Sequence, residues 1–129
     1  MIQIPVLYSK IHRATVTDAQ LAYQGSITID AHLLELAGLH AFQQVQVYNI
    51  TNGNRFETYV IEGPAHSGVI QINGAAAHLA NRNDLVIIAA YANIPQEMAA
   101  NWQPKLVYVN PQNQPKPAPD PSALLAVAY

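Results

Sequence analysis

The sequence contains no cysteine and few charged residues, and these shortages exclude several classes of protein. Without cysteine, the 129 residues can form no disulfide, thiol nucleophile or thiolate metal site. Only 11% of the residues are charged and half are hydrophobic, whereas roughly 25% of an average soluble domain is charged. A disordered chain has the opposite balance, so we predict one folded domain that buries part of its surface against copies of itself.

Basic clusters and long apolar runs are also missing. Six Lys and Arg against eight Asp and Glu give a formal net charge of −2, without the clustered positive charge that nucleic-acid binding requires. The longest apolar run, 85–92, is far shorter than the ~20 residues of a membrane span. The N-terminus has no positively charged segment leading into an apolar one. We therefore expect a cytoplasmic protein with neither nucleic-acid nor membrane partners.

Short strands dominate the predicted secondary structure. Apolar runs of strand length, separated by turn residues, cover 6–16, 23–29, 45–50, 56–61, 69–72, 85–92 and 106–109. The Asn52-Gly53 step between the third and fourth runs predicts a hairpin. Seven strands with few helices favour a mainly β fold, either a barrel or a sandwich.

One longer helix and two short ones are predicted between the strands. The longer helix covers 31–37, with Asp30 as its N-cap and Gly38 as its C-terminal stop. Short helices are expected to begin at Gly74 and at Pro95. The domain is predicted to cover residues 1–110. Because prolines recur between 111 and 121, residues 111–129 are expected to form an extended tail that joins no β-ladder.

The common metal and nucleotide motifs are absent. The five histidines at positions 12, 32, 40, 66 and 78 show no metal-ligand spacing, so no metal site is predicted. The sequence has neither a glycine-rich phosphate loop nor the G-x-S-x-G turn of hydrolases.

Two short segments carry possible chemistry, although each is also an ordinary turn pattern. At Gly25-Ser26, a glycine that adopts unusual backbone conformations presents its carbonyl to the next hydroxyl. Attack by the Ser26 oxygen converts the peptide to an ester, and elimination followed by hydrolysis leaves a pyruvoyl group. The second segment, 73–77, places small residues at a predicted helix start, where bare backbone N–H groups suit a carboxylate or phosphate. Neither segment alone identifies a function.

Five blocks of the sequence together resemble bacterial aspartate 1-decarboxylases. They occur in the family's order and spacing, and the resemblance covers residues 1 to about 110. The blocks are Tyr8-Ser9-Lys10-Ile11-His12-Arg13-Ala14, Tyr23-Gln24-Gly25-Ser26, Asn49-Ile50-Thr51-Asn52-Gly53, Arg55-Phe56-Glu57-Thr58-Tyr59 and Ile72-Asn73-Gly74-Ala75-Ala76-Ala77-His78. Five blocks in one order are far more specific than any one of them.

The resemblance implies a double-psi β-barrel enzyme that forms a homotetramer. It implies pyruvoyl-dependent decarboxylation of L-aspartate to β-alanine for pantothenate synthesis, after self-cleavage between Gly25 and Ser26. The covalent pyruvoyl group then derives from Ser26 and forms a Schiff base with the substrate amine. Whether cleavage is spontaneous or assisted by a maturation protein stays open.

The resemblance also assigns roles to individual residues. Tyr59 matches the family's proton donor, and Arg55 and Lys10 match its cationic pocket residues. Thr58 is the expected oxyanion donor during cleavage, and Asn73 is expected to orient groups at the cleavage point. The substrate contacts of the family match Thr58, Gly74, Ala75 and Ala76.

Two positions depart from the family pattern, and two other functions remain open. Gln24 replaces the usual Glu before Gly25-Ser26, and we expect it to change the rate of cleavage more than its outcome. Tyr48 stands where tryptophan is common and is expected to keep an aromatic pocket wall. The alternatives are an unprocessed barrel that binds a small anion, and a pyruvoyl enzyme that decarboxylates another amino acid.

Overall fold

The computed structural model describes residues 1–119, which form nine β-strands, one α-helix and two 3-10 helices. The helix α1 spans Ala31–Ala37, and the 3-10 helices span Gly74–His78 and Gln96–Asn101. The strands are β1 (Gln3–Thr15), β2 (Asp18–Gln20), β3 (Ser26–Asp30), β4 (Gln44–Asn49), β5 (Arg55–Gly63), β6 (Ile70–Asn73), β7 (Leu85–Pro95), β8 (Lys105–Val109) and β9 (Pro115–Lys116).

The strands form one sheet that closes on itself. Their order is β2-β6-β3-β5-β4-β7-β1-β8-β9, and β2 follows β1 in the chain after only two residues. One of these two, Thr17, donates its N–H to the carbonyl of Ile70, so pairing continues from β1 into β2. The pairs β1–β8, β2–β6 and β3–β5 are parallel, and the other neighbours are antiparallel. The predicted mainly β fold of the double-psi barrel type is confirmed.

The barrel interior is filled by aliphatic side chains from alternating strand positions. In β4, Val45 and Val47 are buried, whereas Gln46 and Tyr48 lie on the outer face. Branched residues dominate the interior because they pack well on a pleated surface. The largest fully buried side chains are Ile11, Ile27, Ile29, Leu33, Ile70, Ile72, Ile88, Val16, Val45, Val47, Val60 and Val86.

The helix and the hairpin match the sequence prediction. Helix α1 begins after Asp30, whose carboxylate accepts the N–H of His32 at 2.8 Å. It ends at Gly38, whose φ of 67° belongs to the left-handed region typical of helix ends. Strands β4 and β5 pair antiparallel on either side of Asn52-Gly53, so the hairpin is confirmed. Both short helices also form, each as a 3-10 helix.

The expectation that the proline-rich segment joins no ladder is wrong for its first part. Strand β9 pairs antiparallel with the end of β8, as proline permits at a sheet edge. The buried side chain of Asn113 accepts the N–H of Thr15 at 2.7 Å and donates to the carbonyls of Thr15 and Gly68, both at 2.8 Å. The segment therefore packs on the barrel as far as Lys116, while residues 120–129 of the predicted tail lie outside the described residues.

Asp30 joins α1 to the loop between β5 and β6. Its buried carboxylate accepts the N–H groups of His32, His66 and Gly68 at 2.8, 3.0 and 2.9 Å. Burial alone would raise the pKa of this carboxyl, but the backbone hydrogen bonds outweigh burial and lower the pKa below its usual value.

Replacement of Asp30 by asparagine is expected to lower the free energy of unfolding at pH 7 by about 2 kcal/mol. Because the pKa is lower in the folded state, the ionised carboxylate stabilises the fold above the unfolded pKa. This contribution is lost as the pH falls through the folded value. Urea titrations of both proteins between pH 7 and pH 3 should therefore show a difference that shrinks at acid pH. A difference independent of pH would mean that the charge has no part in the stability.

No helix within residues 1–119 combines the length and the apolar character of a transmembrane segment.

Candidate active site

Ser26 lies at the first position of β3, where its side chain is buried. The residue is 1% exposed. Its hydroxyl donates to the carbonyl of Gln24 at 3.3 Å and accepts a hydrogen bond from the Asn73 amide at 3.0 Å. Ser26 and Asn73 are also directly opposite each other in the antiparallel pair of β3 and β6. The serine oxygen is therefore held in one orientation next to the peptide that precedes it.

The side-chain amide of Asn73 is fixed by three hydrogen bonds. Its nitrogen also donates to the Thr28 hydroxyl at 3.1 Å, and its oxygen accepts from the Gln71 amide at 2.8 Å. These partners determine which end of the amide faces Ser26, so the serine oxygen receives a donor. Asn73 thus contacts Ser26, next to the peptide bond at which the sequence analysis predicts cleavage.

Gly74 allows the backbone of Gly25 to come close. Its φ is +69°, and a Cβ at this position would lie 2.5 Å from the Gly25 nitrogen and 2.8 Å from the Tyr23 carbonyl oxygen. No side chain fits there without moving the backbone. The two segments singled out in the sequence, Gly25-Ser26 and the turn that begins at Asn73, are therefore in direct contact. Beyond Gly74, Ala75 is exposed and Ala76 is half-buried.

Tyr59 and Thr58 follow each other on β5, the parallel neighbour of β3. The register pairs Ile27 with Val60. Continued towards the N-terminus of both strands, the same register places Tyr59 beside Ser26 and Thr58 beside Gly25. Successive side chains on a strand point to opposite faces, so the two do not share a side of the sheet. The ring of Tyr59 stacks on that of Phe42 with centroids 6.5 Å apart.

Arg55 belongs to a second group of side chains on the outer face of the sheet. Its guanidinium carbon lies 4.0 Å from the centre of the Tyr48 ring, a cation–π contact. The Tyr48 and Tyr91 hydroxyls are 2.8 Å apart, and this hydrogen bond, together with burial, raises the pKa of Tyr91. Arg55 precedes Tyr59 by four residues of strand, which is roughly 13 Å at about 3.3 Å per residue.

Lys10 lies on β1, opposite Ala89 of β7 and away from β3 in the strand order. Burial lowers the pKa of its ammonium group. Burial and the positive charges of Lys10, Arg13 and Lys116 lower the pKa of His12 to about 4, so this imidazole is neutral at pH 7. The positive charge of this part of the surface therefore comes from lysine and arginine side chains.

The structure thus brings together only some of the predicted site residues. Gly25, Ser26, Asn73 and Gly74 are in contact, with Thr58 and Tyr59 on the next strand. Arg55 and Lys10 lie on other parts of the sheet. Among residues 1–119, no three His, Asp or Glu side chains are grouped so that they could hold a metal ion.

Tyr91 belongs to the group around Arg55 and Tyr48, and the sequence analysis did not single it out. It lies within the apolar run 85–92 on β7, 43 positions after Tyr48 in the sequence. No local pattern indicates that contact, because the two residues meet only through the pairing of β4 with β7. Side-chain alternation along β7 is the one weak signal in the sequence, because it predicts that Tyr91 lies on the same face of the strand as Ala89.

Comparisons with known proteins agree on one family. The family model described as aspartate decarboxylase matches residues 2–116 of the chain. An aspartate 1-decarboxylase of Syntrophus aciditrophicus is 54% identical over 111 residues, which are 86% of this chain and 96% of that protein. The aspartate 1-decarboxylase of Thermoanaerobacter pseudethanolicus is 54% identical over 110 residues, covering 85% and 94%. That of Hydrogenovibrio crunogenus is 48% identical over 112 residues, covering 87% of each chain.

Proposed function

This chain belongs to the aspartate decarboxylase family, and from that premise we propose that it converts L-aspartate to β-alanine and CO₂. In this family the product supplies pantothenate synthesis, which is the role we propose here, in the cytoplasm. The observation that carries the proposal is the buried hydroxyl of Ser26. It is held by Asn73 at 3.0 Å, beside a Gly25 backbone that packs against Gly74.

The first step of the proposal is self-cleavage between Gly25 and Ser26. The Ser26 oxygen bonds to the Gly25 carbonyl carbon, the C–N bond breaks, and the hydroxyl proton passes to the nitrogen, which leaves an ester. Elimination releases residues 1–25 as a carboxylate and leaves dehydroalanine at position 26. One water then replaces the nitrogen, which departs as ammonia, and the new chain begins with a pyruvoyl ketone.

The residues around position 26 fit a small ketone-bearing group. Because Gly74 has no Cβ, the Gly25 backbone packs directly against it, and the Asn73 amide offers a donor to an oxygen at position 26. Once formed, a pyruvoyl group supplies an electron sink for the pair left behind when CO₂ departs. Asn73 and the Gly74 backbone are the groups that would hold it.

Substrate binding is proposed for the residues that match the family. Arg55 binds the carboxylate that stays, because a guanidinium holding the leaving carboxylate would stabilise the ground state and slow the reaction. Lys10 adds positive charge, and Thr58 with the Gly74–Ala76 segment contacts the rest of the substrate. The Tyr59 hydroxyl donates a proton to the carbon from which CO₂ has left.

We also propose that the enzyme is a homotetramer. Several large apolar side chains lie on its surface. Apart from Met1, Phe42 is the most exposed of them, at 78%. Such side chains are typical of surfaces that become buried between subunits. The others between residues 20 and 110 are Leu21, Tyr23, Leu36, Ile50, Ile61, Tyr91, Met98 and Leu106.

Mass measurement and a β-alanine assay of the purified protein test this proposal. The denatured wild type should give two chains, residues 1–25 and 26–129, the second beginning with a ketone that reacts with hydroxylamine. Native mass should correspond to four copies. Ser26→Ala lacks the attacking oxygen and should remain one 14.1 kDa chain without activity.

Two results would favour the competing functions. An intact wild-type chain that binds small anions would indicate an unprocessed binding protein. Two chains without β-alanine formation would indicate a pyruvoyl enzyme for another amino acid. A free N-terminal serine at position 26 would mean plain hydrolysis and would exclude the pyruvoyl group.

A further inference from the structure

Two hydrogen-bonded tyrosines hold the side chain of Arg55 on the outer face of the sheet. The guanidinium carbon of Arg55 lies 4.0 Å from the centre of the Tyr48 ring, and the hydroxyls of Tyr48 and Tyr91 are 2.8 Å apart. A guanidinium that stacks on an aromatic ring takes its plane from that ring, and it binds a carboxylate through a planar fork of N–H donors. The Tyr48 ring therefore helps to determine the direction in which Arg55 can bind an anion.

Strand register shows that the two tyrosines must lean towards each other. Tyr48 of β4 is opposite Ile87 of β7. Tyr91 follows Ile87 by four residues, which is roughly 13 Å along the strand at about 3.3 Å per residue. The residue between them on this face of β7 is Ala89, whose small side chain leaves room for the two rings. A hydrogen bond between the far ends of two such side chains restricts both of them to one orientation.

The tyrosine pair spans the two strands that separate Arg55 from Lys10. The order of these strands is β5-β4-β7-β1, with Arg55 opposite Tyr48 and Lys10 opposite Ala89. Arg55 and Lys10 are the two cations to which the proposed function assigns substrate binding. The hydrogen bond to Tyr48, together with burial, raises the pKa of Tyr91. Tyr91 is therefore uncharged at pH 7 and neutralises neither cation.

We propose that Tyr91 is a positioning residue for substrate binding, which holds the Tyr48 ring and thereby orients the Arg55 guanidinium towards the carboxylate that stays in the product. The inference rests on the proposed function, which assigns this carboxylate to Arg55, and it requires no particular distance between Arg55 and the Ser26 of the same chain. Without the Tyr91 hydroxyl the Tyr48 ring is free to turn, so the guanidinium has to be ordered when the substrate binds. That ordering lowers affinity.

Tyr91→Phe is the sharpest test, because it removes the hydroxyl and keeps the ring. Tyr48→Phe removes the other end of the same hydrogen bond and keeps the ring on which Arg55 stacks. If the two hydroxyls act only through each other, the double variant should lose no more than either single variant. Tyr8→Phe is the matched control, because the Tyr8 hydroxyl also makes one hydrogen bond, to the Gly38 carbonyl at 3.0 Å.

The measurement is steady-state aspartate turnover of the cleaved proteins, accompanied by urea unfolding. The KM for aspartate should rise about threefold in Tyr91→Phe, in Tyr48→Phe and in the double variant, as expected for one lost hydrogen bond. The kcat should stay within about 1.5-fold of wild type, because the carboxylate that stays is bound alike in the ground state and the transition state. Tyr8→Phe should keep the wild-type KM at a similar loss of stability, and all variants should be cleaved into two chains.

The outcomes separate this inference from the proposed function. If wild type forms no β-alanine, the proposed function fails, and the role of Tyr91 fails with it. If wild type is active and Tyr91→Phe keeps its KM, the role of Tyr91 alone fails. A rise of about ninefold in the double variant would also overturn it, because the two hydroxyls would then act independently. So would a fall in kcat at unchanged KM, or an equal rise of KM in Tyr8→Phe, which would show an effect on the reaction or a general loss of stability instead.

Discussion

Replacement of Gly74 by alanine should leave the chain uncleaved after a day under conditions in which the wild type is fully processed. The added Cβ would lie 2.5 Å from the Gly25 nitrogen and 2.6 Å from its Cα, so the Gly25 backbone must move. The attack geometry between the Ser26 oxygen and the Gly25 carbonyl is then lost, and a misplacement of about 1 Å can slow a reaction 10²-fold. Intact mass measured over time gives the rate of cleavage.

Gly53→Ala is the control that separates steric contact from backbone strain. Gly53 has a φ of +81°, close to that of Gly74, but a Cβ at Gly53 has no heavy atom within 4 Å. This variant should be destabilised by about 1 kcal/mol and still be cleaved. If both variants are cleaved at the wild-type rate, the contact between Gly74 and Gly25 is not required for processing.

Tyr59→Phe is expected to be cleaved normally and to lose nearly all β-alanine formation. The substitution removes the hydroxyl proposed to protonate carbon, and a positioned general acid typically contributes about 10²–10⁴-fold to a rate. The ring that stacks on Phe42 is kept, so the barrel should be undisturbed. Aspartate binding should remain. Turnover close to that of the wild type would mean that another group is the proton donor.

Thr58→Val is the counterpart, because it should impair cleavage. It keeps the shape of the side chain and removes the hydroxyl proposed to stabilise the oxyanion at Gly25. Loss of one such donor commonly costs about 10²–10³ in rate. Strand β5 pairs with β4 without a register shift from Tyr48↔Arg55 to Gln44↔Tyr59, so Thr58 and Tyr59 point to opposite faces. Tyr59→Phe can therefore affect turnover without affecting cleavage, and a Thr58→Val protein cleaved at the wild-type rate would exclude Thr58 from the cleavage mechanism.

Sequence patterns predicted the local elements of the fold well, because short-range chemistry determines them. The N-cap Asp30 and the left-handed Gly38 set the ends of α1 through contacts within four residues. Asn52-Gly53 fixed the hairpin for the same reason. The sequence missed β2 and β9, which are two or three residues long and exist only because a neighbouring strand pairs with them. The burial of Asn113 likewise depends on partners 45 and 98 residues away.

By itself, the sequence determined the mainly β character, the helix, the hairpin, and the five blocks that indicate the family and nominate Gly25-Ser26. Those are properties of neighbouring residues and of residue type. The tertiary structure decided which nominated residues meet. It brought Asn73 to Ser26 across 47 residues, packed Gly25 on Gly74, and set Arg55 on Tyr48 and apart from Ser26. Hydrogen-bond partners and close backbone contacts of this kind depend on strand register, which is fixed only when the whole barrel closes around one core.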